Sequence, residues 1–124
     1  QFVPRTSIDF RWFVVRLYVL EPDVPSAKFV AENDCDTISW DGERPVIERV
    51  NTPATADGSR ACVYRFGDGQ RVLYYMTGYR NVGVVMGTQP RRAEVSDGLA
   101  VDWLSSLAKR QIAIIGGVLA KRAR

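Results

Sequence analysis

Any chemistry in this chain must work without histidine, because its 124 residues include none. That absence excludes Ser-His-Asp and Cys-His relays, the HExxH zinc site and an imidazole pH switch. The two cysteines, Cys35 and Cys62, lie too far apart for a metal-binding pair. They predict one disulfide in an oxidising compartment or two buried thiols in a reducing one. Asp34 and Asp36 flank Cys35 and disfavour its thiolate, so we do not expect a nucleophile there.

Four acidic residues have the spacing of ligands in a calcium-binding loop. Glu32, Asp34, Asp36 and Glu43 correspond to positions 1, 3, 5 and 12 of such a loop. Thr37, however, stands where the loop needs glycine for its sharp turn, and the flanking segments have the pattern of strands. We therefore predict a solvated acidic turn, no metal ligands and no cofactor.

Two groups of residues are candidates for contact with a partner. Tyrosines and an arginine cluster near residues 74–80, where aromatic and basic side chains can anchor an interface or simply alternate along a half-buried strand. Further on, the apolar run 112–120 lies between basic pairs. As a helix this run is about 14 Å long, too short to cross a bilayer. The candidate partner-binding residues are Tyr75, Tyr79, Arg80, Ile112, Ile115, Leu119, Lys121 and Arg122.

The apolar run 112–120 has three interpretations. Its basic flanks suit an anionic membrane surface, and Gly116-Gly117 would allow another helix to approach closely. The alternative is a core-facing helix with solvated basic ends. We favour the core-facing helix. Contact with a protein partner or self-association, and contact with a membrane surface, are the two alternatives.

Charge is divided unevenly along the chain, although the net charge is only +3. Residues 21–57 carry nine acidic and three basic residues, whereas the segments on both sides are net basic. The bases are 14 Arg and 3 Lys, without a recognisable nucleic-acid-binding motif. This asymmetry predicts either steering of charged partners or pairing of the acidic segment with the basic remainder.

The pattern of apolar residues predicts strands over most of residues 10–87. The segment 10–20 is rich in aromatic and β-branched residues, with Phe13, Val15, Leu17 and Val19 on one wholly apolar face. Segments 60–66 and 70–76 flank Gly67-Asp68-Gly69 and predict a β-hairpin. Further strands are predicted at 36–40, 45–50 and 82–86, and the segment 26–34 fits either a strand or a helix.

A long helix is predicted over residues 96–122, after a linker at 88–95. Ser96 is a suitable N-cap, and Val101, Leu104 and Ala108 begin an apolar stripe that continues towards the C-terminus. Strands followed by a helix predict one α+β domain over 1–124: an antiparallel sheet of five or six strands with the long C-terminal helix packed on one face.

These observations favour a non-enzymatic interaction or assembly module, such as a subunit of a larger or membrane-associated complex. The alternatives are a small-ligand-binding domain or enzyme with a pocket between sheet and helix, and a nucleic-acid-binding or coat protein. The chain begins with Gln1 and not Met, from which we expect a processed N-terminus and an extracytoplasmic or organellar location.

Overall fold

The protein is described by a computed structural model that covers residues 10–37, 42–52, 58–91 and 95–122. It confirms the α+β class, with five antiparallel strands and one long C-terminal helix. The strands are β1 (Phe10–Val19), β2 (Val46–Val50), β3 (Arg60–Arg65), β4 (Arg71–Tyr79) and β5 (Val82–Pro90), in the sheet order β1-β5-β4-β3-β2. The helices are α1 (Ser26–Glu32), a 3₁₀ turn (Cys35–Thr37) and α2 (Asp97–Arg122).

Two tight turns build the centre of the sheet. Phe66 and Gln70 close the β3–β4 turn by a backbone hydrogen bond, with Gly69 at a φ of +87° that favours glycine. β4 and β5 are joined by only two residues, Arg80 and Asn81, since Tyr79 pairs with Val82. Strand β4 therefore continues to Tyr79, beyond residue 76 where the predicted hairpin segment ends.

Strand β5 is also longer than predicted. It continues to Pro90 because Thr88 pairs with Phe13 of β1 and with Leu73 of β4. Residues 88–90 therefore belong to the sheet and not to the predicted linker, of which residues 92–94 lie outside the described part. The predicted strand at 36–40 begins in the 3₁₀ turn, and its residues 38–40 are likewise not described.

One face of the sheet packs against α2. Side chains of β3, β4 and β5 that alternate towards this face meet Ala100, Val101 and Leu104 of the helix in a common core. Leu73 and Val84 are fully buried there. Withdrawing these apolar side chains from water is the main source of the packing free energy.

Ionic contacts hold the first turn of α2 to the sheet. Asp97 accepts hydrogen bonds from Arg65 of β3 and Arg71 of β4, and the Arg71 side chain is only 10% exposed. The Ser96 hydroxyl oxygen accepts a hydrogen bond from the Leu99 amide at 3.0 Å, as expected of an N-cap. The direction of α2 relative to β4 is therefore fixed at its first residue.

The opposite face carries α1 and the 3₁₀ turn. Pro25 precedes α1, and Arg60 of β3 donates hydrogen bonds to the carbonyls of Val30 and Asn33, which satisfies the C-terminal end of the helix. A disulfide joins Cys35 to Cys62 of β3, and the Tyr64 hydroxyl donates to the Cys35 carbonyl at 2.5 Å. This segment is thus tied covalently to the sheet.

Candidate functional site

Strand β1 presents an apolar face that the rest of the described chain leaves largely open. Phe13, Val15, Leu17 and Val19 alternate towards the α2 side of the sheet, and we call them the β1 row. Their exposed fractions are 41%, 39%, 45% and 79%, respectively. Core residues on the neighbouring strand β5, such as Val84, are fully buried on the same face. The difference arises because α2 packs chiefly over β4, with β5 next to it, and leaves β1 uncovered.

Helix α2 has a second apolar stripe that points towards this uncovered strand. The stripe, which we call the α2 flank, consists of Leu99, Trp103, Leu107, Ile114 and Val118. Successive members of the α2 flank are four or seven positions apart, so they share one side of the helix. Trp103 identifies that side, because its ring meets the ring of Phe13 edge-on with a centroid separation of 5.4 Å. Leu99, Ile114 and Val118 are 43%, 61% and 47% exposed.

The β1 row and the α2 flank form the floor and one wall of an open trough. α2 begins beside the first residue of β4 and passes Tyr79 at Gly116, so it runs parallel to β4 and to β1. From Phe13 to Val19 the floor is about 20 Å long at 3.3 Å per residue. The trough is therefore an extended apolar surface and not an enclosed cavity.

One basic side chain, Arg110, stands on the trough side of α2. Arg110 follows Trp103 by seven positions, which places it on the same side of α2, and it is exposed. Lys109 is also exposed, but it lies seven positions after Asp102 and therefore on the outward side of α2 with that acidic residue. Asp97, the acidic residue of the first turn, is paired with Arg65 and Arg71.

None of the predicted partner-binding residues whose side chains are described belongs to the β1 row or to the α2 flank. Tyr75 is 1% exposed beneath α2, so it belongs to the core and offers no surface to a partner. Tyr79 is half-buried at the end of β4, where the guanidinium of Arg80 lies 5.3 Å from its ring centroid. This pair accounts for the aromatic and basic residues seen together in the sequence.

The predicted residues of α2 divide into two sets. Ile112 and Ile115 are partly buried and pack against the core, which fits a core-facing helix at these two positions. Leu119, Lys121 and Arg122 belong to the helical backbone, and their side chains are outside the described part of the structure. The exposed surface of this half of α2 includes the large apolar side chains of Ile114 and Val118.

Two titratable groups with shifted pKa values, Tyr64 and Asp34, lie away from the trough. Burial raises the pKa of Tyr64, which keeps its hydroxyl a hydrogen-bond donor to Cys35. The backbone amide of Cys35, assisted by Arg49 and Arg60, holds the pKa of Asp34 below its usual value. Both groups lie on the α1 side of the sheet. Among the residues that are described, no cluster of acidic or cysteine side chains could hold a metal ion.

Comparisons with protein families, with curated proteins and with solved structures give no match. No helix in the described ranges combines the length and the apolar character needed to cross a membrane. The functional interpretation therefore depends on the surface itself.

The trough was only partly visible in the sequence. The apolar alternation of β1 identified the row, and the helical pattern included Leu107, Ile114 and Val118 as a broad apolar stripe. Neither the alternation of β1 nor the apolar stripe of α2 indicates which strand the helix covers. The width of the helical stripe did carry a signal. Packing on one sheet face buries about 100° of a helix, and the apolar arc of α2 is wider than that, which indicates an apolar side that the sheet does not cover.

Proposed function

We propose that this protein is a non-enzymatic interaction module that binds an amphipathic helix of a partner protein in the trough. The observation that carries the proposal is the uncovered β1 row beside the exposed α2 flank. A contiguous apolar surface of this kind is typical of a protein-binding site, whereas isolated apolar residues are common on any surface. In helix-in-groove recognition, the apolar face of an amphipathic helix lies in an apolar groove of this kind.

The dimensions support a helix as the occupant. Strands β4 and β1 are two positions apart in the sheet, or about 9.6 Å at 4.8 Å per strand. Packed helices are separated by about 8–10 Å, so a helix lying beside α2 would sit directly over β1. A floor about 20 Å long corresponds to about 13 helical residues.

Covering the floor provides a substantial driving force. The exposed fractions of the β1 row amount to about two complete apolar side chains, and burying each is worth about 1.5–3 kcal/mol. Leu99, Ile114 and Val118 would add to this contribution. Because Arg110 stands on the same side of α2, the edge of the occupant that faces it is expected to carry Glu or Asp.

A second copy of this chain fits the trough less well. A second copy that entered the trough with the side of α2 opposite its own core would place polar residues on the β1 row. That side carries Asp102, Ser106 and Lys109, all of which are exposed in the monomer. Placing two charged residues on an apolar floor is costly, so the occupant we propose is a helix of a different protein with a continuous apolar side.

Synthetic peptides provide the test. A 14-residue amphipathic helix with a leucine stripe and glutamate flanks is titrated into the protein, and the methyl signals of Val15 and Leu17 are followed by NMR. We expect saturable shifts of these methyls. The same peptide with lysine flanks should bind about tenfold more weakly at low salt, a difference of about 1.4 kcal/mol.

Matched variants make the result specific. Leu17→Asp should abolish binding of the glutamate-flanked peptide, whereas Val46→Asp should not. Val46 is a suitable control because it is 64% exposed on the opposite edge strand. The proposal is wrong if the glutamate peptide gives no saturable shift, or if Leu17→Asp binds it as well as the wild type does.

A further inference from the structure

A separate hollow of about 200 Å³ opens on the opposite face of the sheet, between β1 and α1. Its floor includes Met76 of β4, which is 3% exposed, and Val85 of β5. Its rim contains Arg16 of β1 and Asn33, which follows α1. Three aromatic side chains complete the lining: Tyr18, Phe29 and Tyr74.

Two glycines of β5 create this shape. A Cβ on Gly83 would come within 2.7 Å of the Phe29 ring, and a Cβ on Gly87 within 2.5 Å of the Tyr74 ring. Each glycine therefore allows an aromatic ring to lie against the sheet. Val85 stands midway between them on the same face and forms the floor between the two rings.

The aromatic walls are fixed by neighbouring rings. Tyr18 packs against Phe29 with a centroid separation of 5.3 Å, and Tyr74 contacts Tyr64 edge-on at 5.9 Å. Asn33 also holds this region together, because its side-chain amide donates to the Phe29 carbonyl at 2.7 Å. An entering ring would meet aromatic side chains that are already positioned, which lowers the entropic cost of binding.

Arg16 supplies the positive charge of the hollow. It lies opposite Val85 in the β1–β5 pairing and is exposed. Within the described ranges, Arg16 has no carboxylate partner, unlike Arg49 and Arg60, which both pair with Asp34. Burial raises the pKa of Tyr74 and the Arg16 guanidinium opposes this rise, so the charge of Arg16 is felt inside the hollow.

We propose that the hollow binds a monocyclic aromatic carboxylate, with the ring between Phe29 and Tyr74 and the carboxylate on Arg16. The aromatic walls select a planar ring, and a guanidinium recognises a carboxylate through paired hydrogen bonds. The volume restricts the ligand to about one ring, since sites for larger molecules measure about 300–1,000 Å³. This site is on the other face from the trough and is independent of the proposed helix binding.

Three small probes test each part of this recognition. Benzoate, benzamide and cyclohexanecarboxylate are titrated separately into the protein, with amide and methyl shifts recorded by NMR. We expect benzoate to give saturable ring-current shifts at Met76 and Val85. Benzamide, which lacks the charge, and cyclohexanecarboxylate, which lacks the aromatic face, should each bind about tenfold more weakly.

Two arginine substitutions on the same strand provide the matched comparison. Arg16→Gln should weaken benzoate binding about tenfold, whereas Arg11→Gln should leave it unchanged because Arg11 lies outside the hollow. Both side chains are exposed, so neither substitution is expected to affect folding. Equal binding of benzoate and benzamide would overturn the proposal. So would shifts distributed over the surface arginines, or no saturation up to the solubility limit of benzoate.

Discussion

Truncating Leu17 and Leu104 to alanine should have very different effects on stability. Leu104 is fully buried between α2 and the sheet, and removing such a side chain costs about 2–5 kcal/mol in unfolding free energy. Leu17 is 45% exposed, so only about half of its surface is withdrawn from water in this chain. We expect Leu17→Ala to cost about 1 kcal/mol, since full burial of a leucine is worth about 1.5–3 kcal/mol.

Urea denaturation of both variants and the wild type, with the disulfide intact, measures these values. The slope of unfolding free energy against urea concentration should be the same for all three proteins, because the fold is unchanged. A loss at Leu17→Ala equal to that at Leu104→Ala would refute the reasoning. It would mean that Leu17 is already covered and that the trough does not exist in the isolated chain.

Three further outcomes follow from the same structure. Replacing Cys35 and Cys62 by serine should lower the unfolding free energy by about 3–4 kcal/mol in urea denaturation, because their disulfide closes a loop of 27 residues' separation; an unchanged midpoint would contradict this. Gly87→Ala should destabilise the protein by about 1–3 kcal/mol through its clash with the Tyr74 ring, whereas Gly117→Ala, with open space around it, should stabilise α2 by about 0.5–1 kcal/mol; thermal denaturation giving the same sign for both would be inconsistent with the packing. The NMR titration of Asp34 should have its midpoint below the ordinary pKa of 3.8. Its contribution to stability is then present above pH 3.8 and lost as pH falls through the lower folded pKa, and a midpoint at or above 3.8 would contradict this sign.

Local sequence patterns were sufficient to predict the elements whose ends are set by residues within or next to them. The Gly67–Gly69 turn between two alternating segments predicted the β3–β4 hairpin, and Ser96 marked the start of α2. The limits of β5 were harder to predict, because residues 88–90 are held in the sheet by partners on β1 and β4 that are distant in sequence. Pairing with these distant strands keeps Pro90 in the sheet, although a proline at this position is locally typical of a linker.

The exposure of single side chains is harder to predict than the elements, because it depends on packing between elements. Tyr75 and Tyr79 belong to the same run of aromatic residues, yet Tyr75 is buried beneath α2 and Tyr79 is half-buried at the end of β4. The alternation of a strand shows which side chains share a face, but not which face a helix covers. The open floor at Leu17 arises from the lateral position of α2, and no local pattern specifies that position.

Solvent exposure of the β1 row tests the central claim most directly. A soluble paramagnetic probe broadens methyl signals that water reaches, so the methyls of Val15 and Leu17 can be compared with the buried methyls of Val84. In the isolated protein we expect strong broadening at Val15 and Leu17 and none at Val84. Saturation with the glutamate-flanked helical peptide should protect the two β1 methyls. Protection already present without the peptide, or broadening that persists at saturation, would contradict the assignment of this trough as a helix-binding surface.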